Sequence, residues 1–588
     1  MKNMMKCISY MFREEMKFDK RQVQLDVLTG LLQLLRTLVS LFLPAAVLTL
    51  VTMGEGTGKA LIAAAAINVA LALISYGWEH TRWNLNMRAS EMTNYQLWKL
   101  NCKAMDADYI DTEQSEEMAK YYRARDSIWE TGDVTYMLLN VVLCNAIKIL
   151  VVFLVFSRVH ILVALVVAAT VVLECLWDAL WTSKKGHEQD GRVSVASGRR
   201  KHLDSLFFDQ KALRDMVFHP AREFLLRKRS GLTSEILDAR KKKEDIDLVD
   251  SMVCALLALI RTVAVYLIAM RQFLAGSLPI ASFLVFTGAA HEMTQGLYMI
   301  STAFSYVRRA AYYYEDYARY MELPERDREG RDSAPGKVHT VEFRNVSFRY
   351  PNREEDALHD VSLKLDTDQV TAIVGENGAG KSTFVKLLLR LYRVSEGDIL
   401  LDGKSIYEYD YQEYICLFAP VFQDFKLFAF TVRENICLGR EVDGIRLEQI
   451  LEKVGLQAKI SGLARGLETD YTKRFHEEGV LFSGGEEQKL AIARAYAKGE
   501  EAALIFDEPT SALDSLMEYE INQLICGPGE GRFGILISHR LGNTRFAQKI
   551  VVLDHGRVAE EGSHEELMAR ERGIYRELYE MQSCYYRI

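Results

Sequence analysis

The sequence predicts a multi-domain protein: an all-α domain of six transmembrane helices, followed by an α/β domain built around a P-loop. Two observations lead to this prediction. Long apolar runs fill the first half of the 588-residue chain, and a helix needs about 20 apolar residues to cross a bilayer. The second half is more polar, and it carries the phosphate-binding pattern G-x-x-x-x-G-K-[ST] between an apolar strand and a helix.

The overall composition argues against two classes of protein. The net charge is −8 and 49% of the residues are hydrophobic, whereas a nucleic-acid-binding domain usually has a surplus of basic residues. The nine cysteines are scattered and include no C-x-x-C pair, so neither a disulfide framework nor a zinc site is indicated. We therefore expect no nucleic acid among the partners.

Six apolar stretches in the first half are the predicted transmembrane helices. A soluble core of buried helices is the alternative, and it is disfavoured because the chain has too many runs of this length. The predicted spans are residues 27–53, 59–78, 135–157, 160–181, 249–271 and 279–304.

The flanking charges predict the orientation of these helices. The N-terminal stretch "MKNMMKCISYMFREEMKFDKRQ" is amphipathic and shows no small-residue cleavage site. We expect it to lie along the membrane surface rather than to be a cleaved signal. Lys17, Lys20 and Arg21 precede the first span, which predicts a cytoplasmic N-terminus. Six spans then return the C-terminus to the same side.

Two long polar loops, residues 79–134 and 182–248, are predicted on the cytoplasmic side. Their helical patterns extend the spans into projecting hairpins, because a helix rises about 1.5 Å per residue. We expect the hairpin tips, near residues 106–113 and 212–219, to contact a cytoplasmic domain.

Several ionisable residues fall within the predicted spans. In lipid such groups are costly, and they usually face the interior of a helix bundle or a water-filled cavity. Side chains close to the interface can instead extend their charged ends into water, and both interpretations stay open for each residue. The residues are Arg36, Lys148, Glu174, Asp178, Arg261, His291 and Glu292.

The second half begins after a predicted linker, residues 323–337. In "TAIVGENGAGKST" an apolar strand leads into a glycine-rich loop whose backbone N–H groups can face phosphates. Lys381 is placed to reach the β- and γ-phosphates of ATP, and Ser382 to offer its hydroxyl to Mg²⁺. The predicted phosphate-binding residues are Gly375, Asn377, Gly378, Gly380, Lys381, Ser382 and Thr383.

Another apolar strand, "ALIF", ends in two acidic residues that suit ATP hydrolysis. Asp507 is placed to hold Mg²⁺ through water, and Glu508 to accept a proton from the attacking water. His539 follows a further apolar strand in "ILISHR". A lone histidine there is more often structural, but after a P-loop and an acidic pair it is a candidate contact for the γ-phosphate.

Two further candidates are weaker when taken alone. Gln423 in "APVFQDF" is a candidate Mg²⁺ ligand that would also sense the γ-phosphate, although glutamine is common on surfaces. Tyr350 ends the first strand and could stack on adenine, although it also fits a core or edge aromatic. Together with the P-loop and the acidic pair, they complete the prediction of an α/β P-loop ATPase domain that binds ATP and Mg²⁺.

At this point the chain resembles the ATP-binding cassette (ABC) transporters. "GENGAGKST", "FSGGE", "LIFDEPTSALD", Gln423 and His539 occur in the order and spacing of that family. Six spans ahead of the cassette are similar to the exporter-type half-transporter. The resemblance implies a transmembrane domain over residues 1–322 and an ABC nucleotide-binding domain over residues 338–588.

The resemblance also implies a dimer of half-transporters. In this family two cassettes pair head to tail, and the signature loop of one caps the ATP that the other holds. Ser483, Gly484 and Gly485 would then bind the partner's γ-phosphate. Asp514 would lie at the same interface and help couple the two sites.

The signature loop departs from the usual LSGGQ at two positions. Phe482 replaces leucine, and we expect it to be tolerated as an apolar contact. Glu486 replaces glutamine, which adds negative charge near a nucleotide, although it sits at a helix start that favours anions. We expect a weakened site on the partner's nucleotide, which favours a heterodimer over a homodimer.

The implied function is ATP-driven export of an amphipathic small molecule, peptide or lipid by alternating access. Two alternatives are kept: the same architecture used for uptake, as in siderophore import, and a membrane-anchored regulatory ATPase. We expect a multi-pass protein of a bacterial plasma membrane with its ATPase domain in the cytoplasm. The sequence does not define the transported substrate.

Overall fold

The structure, a computed structural model, describes residues 2–584 except 53–56, 111–114, 160, 178–182, 208–212, 214–215, 217–220, 326–329, 352, 367–368, 474–475, 509–518, 522, 524 and 526–532. It divides into two compact units. The first comprises Met1–Ala107 and Asp111–Pro324, and the second comprises Asp108–Ile110 and Glu325–Ile588. The division after Pro324 falls within the predicted linker, residues 323–337.

The first unit is built of helices, several of them far longer than a bilayer requires. One of them, α5, has three consecutive parts, of which the middle one is a π-helix with i→i+5 hydrogen bonds. The helices are α1 Lys2–Phe18, α2 Lys20–Thr52, α3 Thr57–Asp106, α4 Ser115–Thr131, α5 Val134–Tyr136 with Met137–Leu143 and Cys144–Val159, α6 Ile161–Trp177, α7 Ser183–Leu206, α8 Arg222–Leu274 and α9 Ile280–Met321.

Four of the described helices are long and apolar enough to cross a membrane: Lys20–Thr52, Leu61–Asp106, Val134–Leu154 and Arg222–Leu274. A shorter apolar helix covers Leu165–Glu174, within the predicted span 160–181. Helix α9 is also long enough to cross a membrane, but it is not one of these four. Polar residues such as His291 and Glu292 reduce its mean hydropathy. The six-span topology therefore stays a prediction.

Two ion pairs join predicted intramembrane charges to one another. Arg261 is 1% exposed, and its Nη1 atom lies 3.0 Å from Oε1 of Glu174. Nζ of Lys148 lies 3.0 Å from Oε2 of Glu292. Pairing offsets part of the cost of burying these charges. Arg36 lies over the ring of Trp78, His291 is exposed, and Asp178 lies outside the described residues.

The second unit holds two β-sheets. A four-stranded antiparallel sheet has the order β2-β1-β4-β5, and a six-stranded sheet has the order β10-β9-β3-β8-β7-β6. Within the larger sheet all pairs are parallel except β10 with β9. The strands are β1 Thr340–Phe348, β2 Leu358–Asp366, β3 Val370–Val374, β4 Glu396–Leu401, β5 Lys404–Ser405, β6 Phe418–Val421, β7 Ala503–Asp507, β8 Gly534–Ile537, β9 Lys549–Asp554 and β10 Arg557–Gly562.

The helices of this unit cover the parallel strands, which are apolar and buried along almost their whole length, as expected for a sheet covered on both faces. The helices are α10 Lys381–Leu388, α11 Tyr411–Cys416, α12 Val432–Cys437, α13 Gly444–Lys453, α14 Gln457–Ser461, α15 Gly484–Ala497, α16 Leu541–Thr544, α17 His564–Met568 and α18 Ile574–Cys584, with a 3₁₀ turn at Gly466–Glu468.

The predicted hairpin tips are described only in part. Residues 108–110 of the first tip group with the second unit, where the ring of Tyr109 packs edge-on against that of Tyr392 with centroids 5.8 Å apart. Most of the second tip, residues 212–219, lies outside the described residues. Its contact with a cytoplasmic domain stays a prediction.

An aromatic stack fixes α10 to the smaller sheet. The ring centroids of Phe343 on β1 and Phe384 on α10 are 4.0 Å apart. Both residues are at most 1% exposed. Phe384→Ala leaves a cavity in this core, so we expect the domain to lose about 3–5 kcal/mol of unfolding free energy. The midpoint of thermal unfolding of the full-length protein should fall. Phe430→Ala, at a 53% exposed position, is the control that should leave the midpoint unchanged.

Candidate functional site

The glycine-rich loop joins β3 to α10 in a conformation that requires glycine. Gly375 has φ +148°, and a Cβ there would lie 2.1 Å from the carbonyl oxygen of Leu553. Gly380 has φ +98°, and its Cβ would lie 2.6 Å from the carbonyl oxygen of Ala357. Non-glycine residues rarely adopt such φ values. The loop therefore brings exposed backbone to the start of α10, a geometry suited to binding anions.

Lys381 begins α10 and turns back across the loop. It is 6% exposed, and its Nζ donates to the carbonyl oxygens of Gly375 and Glu376 at 2.9 and 2.8 Å. Burial lowers the pKa of Lys381, and the nearby carboxylates of Glu508 and Asp507 partly oppose that shift. Its ammonium group thus lies in the loop, at the place where phosphates would be bound.

Tyr350 is connected to the same helix. Its hydroxyl and Oγ1 of Thr383 are 3.0 Å apart and form a hydrogen bond. Its ring packs edge-on against Phe348 and Tyr392, with centroids 5.0 and 5.3 Å apart. The structure therefore places Tyr350 beside the P-loop helix, and its stacking on adenine stays a prediction.

The two acidic residues, Asp507 and Glu508, have different partners. Asp507 is buried at the end of β7, and its Oδ1 accepts a hydrogen bond from Oγ of Ser382 at 3.4 Å. Burial raises the pKa of Asp507, and the charge of Glu508 adds to the shift. Glu508 has φ +50°, the left-handed region that costs a non-glycine residue free energy and often marks a functional site.

The hydroxyl of Ser382 and the carboxylate of Asp507 suit Mg²⁺. Both are hard oxygen donors, which this ion prefers, and Mg²⁺ in phosphate sites is held by one or two such groups together with phosphate oxygens and water. No group of three or more His, Cys, Asp or Glu residues in the described part of the chain could hold a metal ion by itself. The donor set thus fits an ion that arrives with a nucleotide.

His539 contacts the second carboxylate of the pair. Its Nδ1 lies 3.2 Å from Oε2 of Glu508. Glu508 directly follows strand β7, which pairs with β8. Three predicted residues that are far apart in sequence, Lys381, Glu508 and His539, thus lie at one edge of the sheet, beyond the carboxyl ends of the parallel strands.

Sequence reasoning missed a residue that holds His539. Gln582 on α18 donates from Nε2 to the carbonyl oxygen of His539 at 2.6 Å, and its Oε1 accepts from the backbone N–H of Leu541 at 2.9 Å. Gln582 therefore bonds the backbone on both sides of residue 540. No local pattern in the sequence indicates this contact, because the partners are brought together by the fold.

A cavity of about 450 Å³ lies beside these groups. It extends from the glycine-rich loop to the C-terminal helix, so the loop, His539 and α18 share one concave surface. It is lined by Gly375, Glu376, Asn377, His539, Leu541, Leu578 and Gln582.

The signature loop forms a helix cap. Ser483 precedes α15 and forms a capping box with Glu486: the N–H of Ser483 donates to Oε2 of Glu486 at 2.8 Å, and the N–H of Glu486 donates to Oγ of Ser483 at 3.4 Å. Nζ of Lys459 lies 3.2 Å from Oε1 of the same carboxylate. Burial by itself would raise the pKa of Glu486, but the hydrogen bonds from Ser483 and Lys459 outweigh it and the net pKa is lowered.

The signature residues are separate from the P-loop group. Among the described residues, no hydrogen bond or ion pair joins Ser483, Gly484 or Gly485 to Lys381, Glu508 or His539. Phe482 is buried, with its ring stacked on Tyr471. Gln423 is exposed in a turn shortly after β6, and Asp514 lies outside the described residues.

Comparison with known proteins identifies the second unit. Residues 358–511 match the family described as ABC transporter. The subtilin transport ATP-binding protein SpaT of Bacillus subtilis is 34% identical over 315 residues, 53% of this chain and 51% of that protein. The ATP-dependent lipid A-core flippase of Xanthomonas campestris is 31% identical over 370 residues, 63% of this chain and 62% of that protein. In both cases the chain covers less than two thirds of the relative's length.

A solved structure extends the likeness to the whole fold. A bacterial Atm1-family ABC exporter with ATP bound matches with a TM-score of 0.82, over 96% of this chain and 99% of that chain, at 23% sequence identity. At that identity the match concerns the fold. Residues 358–511 therefore form an ABC transporter domain, and the fold of the chain is that of the matched exporter: a helical domain with candidate membrane helices, followed by an α/β nucleotide-binding domain.

Proposed function

We propose that this chain is one half of an ATP-driven exporter that hydrolyses ATP at the edge of its parallel sheet. One observation carries the proposal. Glu508 lies one residue beyond the carboxylate of Asp507, which accepts a hydrogen bond from the P-loop hydroxyl of Ser382, and Glu508 itself contacts His539. A base beside a phosphate loop and a magnesium-type carboxylate is the arrangement that phosphoryl transfer to water requires.

Each residue at the edge has a distinct part in hydrolysis. The backbone of the glycine-rich loop and Lys381 bind the phosphates, which positions the γ-phosphate at the sheet edge. Glu508 accepts a proton from the attacking water, and His539 orients Glu508 and contacts the γ-phosphate. Gln582 holds the backbone carbonyl of His539 in place. A Mg²⁺ ion held by Ser382 and Asp507 would neutralise charge on the phosphates.

The exposed start of α15 supports the proposal that the chain acts as a pair. Ser483 and Gly484 are exposed and make no contact with the chain's own P-loop among the described residues. In a head-to-tail pair they would bind the γ-phosphate on the partner chain. Each nucleotide would then contact both chains, so ATP would favour the closed pair and hydrolysis would release it.

The names of the relatives support the proposed direction and the proposed class of cargo. The matched proteins are named for subtilin transport and for lipid A-core flipping, and the matched structure is an exporter. We propose export of an amphipathic small molecule, peptide or lipid across a bacterial plasma membrane, with the nucleotide-binding domain in the cytoplasm. The heterodimer stays a prediction, and Lys459 weakens the argument for it because it neutralises the unusual glutamate of the signature.

The first test is ATP hydrolysis by the full-length chain in lipid nanodiscs. We expect Glu508→Gln to reduce turnover by roughly 10²- to 10⁴-fold while ATP still binds, because the general base is lost. Glu501→Gln, at an exposed position before β7, should retain wild-type turnover. A fully active Glu508→Gln variant would refute the assigned role. If the wild-type chain alone binds ATP without turnover, either a second, different half or a transported substrate is needed, and adding each in turn distinguishes the two.

The ion pair at the signature provides a second test. Lys459→Ala leaves the charge of Glu486 uncompensated beside the partner's nucleotide, so turnover should fall roughly two- to fivefold, a modest effect because both side chains are partly solvated. The double variant Lys459→Ala/Glu486→Gln should recover wild-type turnover. Equal losses in the single and double variants would show that Lys459 acts in some other way.

A third test addresses Gln582. We expect Gln582→Ala to lower kcat roughly tenfold while the affinity for ATP changes little, because two backbone hydrogen bonds around His539 are lost. Glu577→Ala, at an exposed position on the same helix, is the matched control. A variant with weaker ATP binding and unchanged kcat would contradict a role in positioning His539.

A further inference from the structure

A second cavity, in the first unit, is not used by the proposed function. It has a volume of about 210 Å³ and lies between α1, α2, α3 and the start of α5. That volume equals roughly seven water molecules at about 30 Å³ each, which is enough for a small organic group. Its polar lining includes Glu15, Gln22, Asp26, Arg82, Asp133 and Tyr136.

Two of the lining side chains each have one buried acceptor atom that lacks a donor. Glu15 is 1% exposed and Gln22 is 4% exposed. Oε2 of Glu15 and Oε1 of Gln22 have no hydrogen-bond partner within the part of the chain that the structure describes. A buried acceptor without a donor costs free energy. A ligand that supplies N–H donors would remove that cost at both atoms.

The charges around the cavity are mostly negative. Asp26 is 1% exposed and accepts a hydrogen bond from Nδ2 of Asn140 at 2.8 Å, while Asp133 is exposed at the rim. Arg82 is also exposed, and its guanidinium lies over the ring of Trp78. Among the described residues it forms no ion pair with any of the lining carboxylates. The lining therefore contains three carboxyl groups, those of Glu15, Asp26 and Asp133, and one cationic side chain, that of Arg82, which pairs with none of them within the described ranges.

The arrangement favours an organic cation over a metal ion. No three acidic, histidine or cysteine side chains of the described ranges converge on a point where they could hold a metal. The carboxyl groups are instead distributed around the cavity, which suits a cation with several donors and an apolar body. Leu85, Ala89 and Met137 supply apolar lining for that body.

We propose that this cavity binds an organic ammonium group, with Glu15 as its ion-pair partner and Gln22 as the acceptor of a second N–H. Asp26 lies just before the first predicted span and Asp133 just before the third, so in the proposed topology the cavity is reached from the cytoplasmic side. The ligand is an alkyl amine or diamine of small volume. The inference stands apart from ATP hydrolysis, because it rests on a different unit of the chain.

The affinity should depend on pH in a defined direction. Burial raises the pKa of Glu15 to about 8; a hydrogen bond with Thr135 opposes the shift, and Asp26 and Asp133 add to it. Arg82 and Tyr136 are the other titratable groups of the lining. An alkyl ammonium keeps its charge to about pH 10, so binding strengthens as Glu15 ionises, by about tenfold from pH 7 to pH 9.

The test is isothermal titration calorimetry of the full-length protein in lipid nanodiscs, with butane-1,4-diamine as the probe and empty nanodiscs as the blank. Wild-type protein should bind the diamine but not butane-1,4-diol, which has the same length without charge. At pH 9, Glu15→Gln should weaken binding at least about tenfold, and the remaining pH dependence should be only the smaller part that comes from Asp26, whose pKa burial raises to about 7. Gln22→Met should weaken binding severalfold and keep the pH dependence.

The control is Glu91→Gln, an exposed acidic position on α3 away from the cavity lining, which should bind like wild type. Absence of heat with the diamine would overturn the proposal, as would equal affinity in wild type and Glu15→Gln. A thermal unfolding midpoint for each variant shows that it is folded. Because the calorimetry contains no nucleotide, its failure would leave the proposed ATPase function unaffected.

Discussion

The parallel pairing of β3, β8 and β7 is the constraint on which the nucleotide-binding unit depends. Ile373 is in register with Ile537, and Ile537 with Asp507. Neighbouring strands lie about 4.8 Å apart, so the residues that follow these positions are held within the reach of one ligand. The register of these strands is sufficient to bring together the glycine-rich loop, the acidic pair and His539.

The strain at Glu508 follows from the same edge. Its N–H donates to the carbonyl oxygen of Ile537, which extends the ladder one residue past β7, while its own φ of +50° departs from the extended backbone of the strand. Adjacent residues on a strand point to opposite faces. The two neighbouring carboxylates therefore have different partners: Asp507 lies toward Ser382, and Glu508 toward His539. In the proposed mechanism, Asp507 would help to hold the cation and Glu508 would accept the proton.

Local sequence patterns allowed us to predict the residues at this edge of the sheet. They did not allow us to predict contacts between residues that are far apart in sequence. The P-loop, the acidic pair and His539 each sit at the end of an apolar run, so spacing alone indicates where they belong. Gln582 and Lys459 act through partners far away in sequence, and no periodicity indicates such contacts. The π-helical part of α5, Met137–Leu143, has the composition of any apolar helix, so hydropathy could not reveal its different hydrogen bonding. The boundaries of the membrane spans likewise depend on where the bilayer lies, and amino-acid composition indicates that position only approximately.

The capping box of Ser483 and Glu486, together with the ion pair that Lys459 forms with the Glu486 carboxylate, has a consequence for how this chain could have diverged. A glutamate at position 486 suits its own helix start, but in the proposed pair its charge would face a site that binds an anion. Lysine at position 459 makes that charge tolerable. Substitution of a neutral residue by Glu486 is therefore most easily accepted in an ancestor that already had a cation at 459. Once both are present, Lys459 cannot be lost first without leaving the charge of Glu486 uncompensated, so the order in which the two positions can revert is constrained.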